Sequence, residues 1–360
     1  MLSFSFFSND NGLKLQVLEQ KDERIRMIRQ EDVEETKSRL FCCEYSAFSE
    51  ASLVHLDYLE AGADIIITAS YQATIQGFQA KGLSKEESEA LLQRSVEVAL
   101  EARDIYYERC KDCCSDDTRD GKIFRKRPIL VAASLGWYEA YLADGSEYSG
   151  KYGDTVTIET LKDFHRRRVQ VLAGSGADLI AFETTLNKLE AQAYAELLEE
   201  EDINTPAWFS FTSKDGVHVV SGDSLIECVS IADSCKKIVA VGINCTPPRF
   251  IHGLILSTKK VTTKPILIYP NTGETYDADR KEWVMSTEVS DEDFVSYVSK
   301  WHEVGASLIG GCCRTTPNTV RGIARALNKG STVQALSYKE MKEGGREEDT
   351  KGNVNINSYP

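Results

Sequence analysis

Between residues 50 and 330 the chain alternates helix-like segments with short, nearly continuous apolar runs, and no other feature restricts its fold so strongly. The runs Asp64 to Thr68, Ile129 to Ser134, Asp178 to Phe182, Ala207 to Phe211, Ile238 to Cys245, Pro265 to Tyr269 and the one entering Cys312 are predicted strands. Strands this apolar must be covered on both faces, which calls for a parallel sheet with helices as crossovers. The joint from helix to strand is also reused, as Ala61-Gly62-Ala63-Asp64, Ser175-Gly176-Ala177-Asp178 and Val304-Gly305-Ala306-Ser307. One αβ unit therefore repeats along the chain.

Seven strands from Asp64 onward need one more from the first 50 residues to close a TIM-type (β/α)8 barrel. That opening stretch is hard to read. Leu2 to Phe7 and Leu13 to Leu18 alternate weakly, and Lys21 to Arg39 is charged and helix-like without an apolar face, so the first strand is expected to be atypical or missing. The expected organisation is an atypical N-terminal region over 1–49, a barrel domain over 50–330 and a polar, disordered tail over 331–360.

Composition narrows the function. The chain has 42 Lys plus Arg against 56 Asp plus Glu, a net charge of −14 spread along its length, which argues against nucleic acid or an anionic membrane as partner. No basic segment leads an apolar one at the start and no run is long enough to span a bilayer, so a cytoplasmic protein is expected. In a reducing compartment the ten cysteines are free thiols or metal ligands before they are disulfides. No P-loop or dinucleotide-binding glycine fingerprint follows any predicted strand. Small-molecule substrates remain, with a monomer as the default state.

The active face of a parallel barrel lies at the carboxyl ends of its strands, and the chain's unusual residues fall there: Tyr71, Glu183, Cys245, Asn271, Cys312 and Cys313. In Gly310-Gly311-Cys312-Cys313 the glycines permit the bend that two neighbouring side chains need to meet one centre. Three cysteines at two strand ends suggest a three-thiolate zinc site with one position open. Such a site is electron-rich and a weak Lewis acid, but it can hold a substrate thiol as thiolate. Glu183 is then a carboxylate for a substrate ammonium, Tyr71 can stack on a cationic group, and Asn244 and Asn271 either orient a ligand or cap their own turns. His165-Arg166-Arg167-Arg168 is most simply a basic helix face. Cys110-x-x-Cys113-Cys114, expected in a loop after a long helix, and Cys42-Cys43 lack paired ligands downstream.

At these residues the chain resembles the homocysteine S-methyltransferases, especially the plant enzymes that use S-methylmethionine. The resemblance rests on Ser70-Tyr71-Gln72-Ala73-Thr74, Tyr141-Leu142-Ala143-Asp144-Gly145-Ser146-Glu147-Tyr148, Phe164-His165-Arg166-Arg167-Arg168, Gly242-Ile243-Asn244-Cys245, Tyr269-Pro270-Asn271-Thr272-Gly273-Glu274 and Gly310-Gly311-Cys312-Cys313-Arg314-Thr315-Thr316-Pro317, and it spans roughly His55 to Leu327. It implies a TIM-type barrel, zinc on Cys245, Cys312 and Cys313, and homocysteine held by its amino group at Glu183. The implied reaction carries a methyl group from a sulfonium donor, S-methylmethionine or S-adenosylmethionine, to homocysteine, giving methionine. Family members open with a strand bearing Asp-Gly-Gly-Leu-Ala-Thr, which Asp10-Asn11-Gly12-Leu13 echoes only faintly. Three other readings stand beside this one: a zinc-binding relative impaired by its front end, a selenocysteine methyltransferase, and a redox protein using Cys312 with Cys313.

Overall fold

Each of the three repeated joints turns on its glycine. Gly62, Gly176 and Gly305 have φ of 110°, 87° and 121°, a region that side-chain-bearing residues avoid. The chain can thus drop from a helix into the next strand within two residues. The computed structural model describes residues 2–7, 16–19, 51–114, 128–138, 150, 152, 155–273, 275–277, 282–284 and 289–327.

Within them the strands are β1 (Leu2–Phe7), β2 (Gln16–Glu19), β3 (Ile65–Ile67), β4 (Leu130–Gly136), β5 (Leu179–Thr185), β6 (Ala207–Phe211), β7 (Ile238–Asn244), β8 (Ile266–Tyr269), β9 (Thr275–Asp277), β10 (Glu282–Val284) and β11 (Ala306–Gly310). From β3 through β8 and on to β11, each of seven strands is parallel to the next. The place between β11 and β3 is taken by β1, antiparallel to both, with Phe6 opposite Gly310 and Ser5 opposite Ile66. β2 folds back on β1 as a second antiparallel strand, Leu2 facing Glu19. The barrel therefore closes, and its first strand is atypical in direction. An antiparallel ladder pairs edge groups as well as a parallel one.

Helices cover the outside: residues 51–60, Lys85–Cys114, Ile158–Ala173, Lys188–Glu200, Leu225–Ser234, Pro248–Thr258, Asp291–Val304 and 317–327. Among the described residues, five of these begin on a side chain that accepts from an otherwise orphaned N–H: Ser84 from Glu87, Thr157 from Thr160, Asn187 from Glu190, Ser290 from Asp293 and Thr316 from Thr319. Strand pleat sorts the core into two layers. Ile180 and Phe182 pack outward under the helices, while Leu179 and Ala181 join Ile65, Ile67, Trp208, Leu267 and Tyr269 inside the barrel. By the same alternation Glu183 shares the inner face.

Some expectations need correcting. The long helix runs on to Cys114, so Cys110, Cys113 and Cys114 lie on its last turns rather than in a loop. The basic face over His165 to Arg168 splits. Arg166 pairs with Glu201 and Arg167 with Glu89, whereas His165 and Arg168 are buried. A short helix, Ile75–Gln79, and the β9–β10 hairpin were not foreseen. The predicted segments Asp10 to Leu13 and Lys21 to Arg39, Cys42-Cys43, the Tyr141 to Tyr148 motif, Glu274 and the 331–360 tail lie outside the described residues. Among the described residues no helix is long and apolar enough to cross a membrane.

Candidate metal centre and buried carboxylate

The three predicted cysteines meet. β7 ends at Asn244 and the chain turns on Cys245, whose φ of 46° is in the left-handed region. Its N–H donates to the Tyr269 carbonyl (3.2 Å), and that of Cys312 donates to the Pro270 carbonyl (2.7 Å), so both residues hang from the end of β8. Past β11 a tight turn closes on the Cys312 carbonyl, which accepts from the Thr315 N–H (3.0 Å) and the Thr315 hydroxyl (2.6 Å). A Cβ on Gly311 would lie 2.5 Å from Thr315, so only glycine lets this turn close.

Cys313 Sγ sits 3.8 Å from Cys245 Sγ and 3.7 Å from Cys312 Sγ, while Cys245 and Cys312 are joined as a disulfide. A tetrahedral zinc with Zn–S bonds of about 2.3 Å sets its sulfurs about 3.8 Å apart. The two Cys313 spacings match that figure, and the donor set, all sulfur and largely buried, suits zinc once the pair is reduced.

Glu183, 1 % exposed, occupies the inner face at the end of β5. Its Oε1 accepts from the Ser134 hydroxyl, and its Oε2 from the Tyr269 hydroxyl at 3.2 Å. Tyr269 in turn receives the Trp208 indole N–H (3.3 Å) and is hydrogen-bonded to Ser210. Burial pushes the carboxyl up to about 8; the two hydrogen bonds and the Arg168 guanidinium hold it down against that. A cation placed beside such a carboxyl would favour its ionised form.

Asn244 bridges the two centres. Its Oδ1 accepts from the Thr184 N–H (3.0 Å) and its Nδ2 donates to the Thr184 hydroxyl (2.7 Å). This holds Thr184 at a φ of 61°, costly for a β-branched residue. Among the described residues, four other than glycine have positive φ. Three of them lie at strand ends, Thr184 in the last two residues of β5 and Cys245 and Arg314 past the ends of β7 and β11, and strain of this kind concentrates at functional sites. Asn271 braces the same region, donating to the Cys245 carbonyl (3.4 Å) and accepting from the Gly273 N–H (3.0 Å). Tyr71 lies at the rim beside Trp137, whose indole donates to its hydroxyl at 2.9 Å. Ser134 and Tyr269 were not singled out as site residues from sequence. Their signal was a polar group interrupting an apolar run on the inward parity.

A family model described as homocysteine S-methyltransferase matches residues 24–327. The chain belongs to the homocysteine S-methyltransferase family. It is an S-methyltransferase by descent, and its relatives are alike along most of their length. A selenocysteine methyltransferase of Astragalus bisulcatus is 72 % identical over 279 residues, 78 % of this chain and 82 % of that protein. Homocysteine S-methyltransferase 2 of Arabidopsis thaliana is 71 % identical over 274 residues, 76 % of this chain and 81 % of its own. Among solved structures, the metallated form of the homocysteine methyltransferase MmuM from Escherichia coli superimposes with a TM-score of 0.64 at 37 % identity, covering 83 % of this chain and 91 % of that one.

Proposed function

We propose that this methyltransferase family member converts homocysteine to methionine with S-methylmethionine or S-adenosylmethionine as donor, and that Cys245, Cys312 and Cys313 hold the zinc it uses. The observation that carries the reading is the meeting of three sulfurs within 4.8 Å of one another, on the same barrel rim as a buried, cation-seeking carboxylate. Cys245, Cys312 and Cys313 would hold the zinc, whose chemistry would be to keep a substrate thiol deprotonated near neutral pH.

The chain's own residues do the rest. Glu183 receives the amino acid's ammonium, aimed by the Ser134 and Tyr269 hydroxyls. Asn244 and Tyr269 tie that carboxylate to the Cys245 turn, which fixes where the two ends of the substrate lie. The acceptor sulfur, as thiolate, attacks the methyl carbon in line; the new S–CH3 bond forms as the donor's breaks, and the electron pair leaves on a neutral thioether. No proton has to be supplied to that leaving group, so proximity and thiolate activation account for the rate.

Selenocysteine is the second acceptor to consider, because relatives near 70 % identity are named for it as well as for homocysteine. The deciding experiment measures zinc in the reduced full chain, then methyl transfer with each donor and both acceptors in competition. Near-stoichiometric zinc and methionine formation are expected, and Cys245→Ser or Cys312→Ser should abolish both. A fully active, zinc-free protein would overturn the reading.

A further inference from the structure

We infer that Arg168 is a positioning residue for the amino-acid site, clamping the carboxyl ends of β3 and β4 so that Ser134 and Glu183 meet the incoming ammonium. This rests on the proposed function and concerns a residue that the metal centre does not involve. Arg168 lies on the helix Ile158–Ala173 and is 1 % exposed. Its Nη1 donates to the Gly136 carbonyl (2.8 Å), and its Nη2 to the carbonyls of Ser70 (3.0 Å) and Tyr71 (2.7 Å). Two neighbouring strands are thus gripped by one planar fork, β4 at its last residue and β3 just past its end, a task for which Lys has the wrong shape.

From the gripped residues a hydrogen-bond path leads to the carboxylate. The Ser70 hydroxyl donates to the Ser134 carbonyl (2.8 Å), and Thr68 Oγ1, 2.7 Å from that hydroxyl, accepts from the Ser134 N–H (3.0 Å). The Ser134 hydroxyl then donates to Glu183. Arg168 also acts through charge. The ionisable groups facing Glu183 are Tyr269 and Arg168, and of these Arg168 is the cation. Arg168 itself faces Tyr71, Tyr194, Glu190 and Glu183. Removing the guanidinium should therefore loosen the strand ends and make the Glu183 carboxylate harder to keep ionised.

The test compares the zinc-loaded wild type with Arg168→Gln, Arg168→Lys and Ser70→Ala. Homocysteine binding is measured by calorimetry, steady-state kinetics and the pH profile of kcat/KM are recorded, and zinc content and Tm are controls. Arg168→Gln should keep its zinc, raise the homocysteine Kd and KM about tenfold to a hundredfold with a much smaller change in kcat, and move the acid limb of the profile to higher pH. Ser70→Ala cuts the path and leaves the charge, so KM should rise while the limb stays. Arg168→Lys keeps a charge, so part of the limb should return, and it serves if the Gln variant does not fold. Variants that lose Tm but keep Kd, KM and the limb would overturn the inference, leaving Arg168 a scaffold residue. A wild type that binds no homocysteine would overturn the amino-acid site and this inference with it.

Discussion

Glu183 is buried with two hydroxyl donors and a raised pKa, and in the proposed function it is the group through which pH acts on ammonium binding. Its folded-state value of about 8 lies above the usual 4.5. The stability gained by keeping it neutral is complete below the lower value and is lost as pH rises through the higher one. Glu183→Gln, which stays neutral, should therefore melt above the wild type at about pH 9 and gain nothing at about pH 5, as thermal melts would read. The same variant should lose about a hundredfold or more in kcat/KM for homocysteine. In the wild type, kcat/KM should fall as pH drops through about 8, because a protonated Glu183 gives no charge to the ammonium. Asn244→Ala frees Thr184 from its left-handed backbone. It should cost about 1–3 kcal/mol of stability and raise the homocysteine KM, measured by denaturant unfolding and initial rates. At this scale the thiols and the carboxylate were legible in the sequence, since rare residues stood at strand ends. The braces were not, because a serine or tyrosine within a strand carries no mark of its partner 49 or 86 residues away.

The αβ unit shows how far local pattern reaches. Ala207–Phe211 is observed with its predicted bounds, and most of the other predicted strands lie within a few residues of theirs. The joint glycines offer a direct check. A Cβ on Gly176 would come no nearer than 3.7 Å to Leu100, so Gly176→Ala pays only for the backbone. About 1–2 kcal/mol and a Tm lower by a few degrees are expected, with zinc content unchanged. The helix Ile158–Ala173 is where local pattern misled. Four consecutive basic or ionisable residues look like a solvated face, but helical pitch puts the first and last of them on the buried side, where Glu190 accepts from His165 at 2.8 Å and three carbonyls accept from Arg168.

For the whole molecule the decisive event is closure of the barrel. β1 pairs with β3 on one side and β11 on the other, so deleting residues 1–19 should leave open edges on β3 and β11. A lower Tm and self-association are expected, followed by calorimetry and light scattering; a truncated chain as stable and monodisperse as the full one would show that β1 does not seal the sheet. Hydrophobic period, helix signals, reused joints and the softness of sulfur ligands were all determined by the sequence itself, because each depends on neighbours a few residues apart. Only the tertiary structure decided that Cys245 and Cys312, 67 residues apart, share one centre, that Arg168 turns inward, and that β1 runs antiparallel. Those outcomes depend on which strands become neighbours when the barrel closes, and closure is a property of all its strands together.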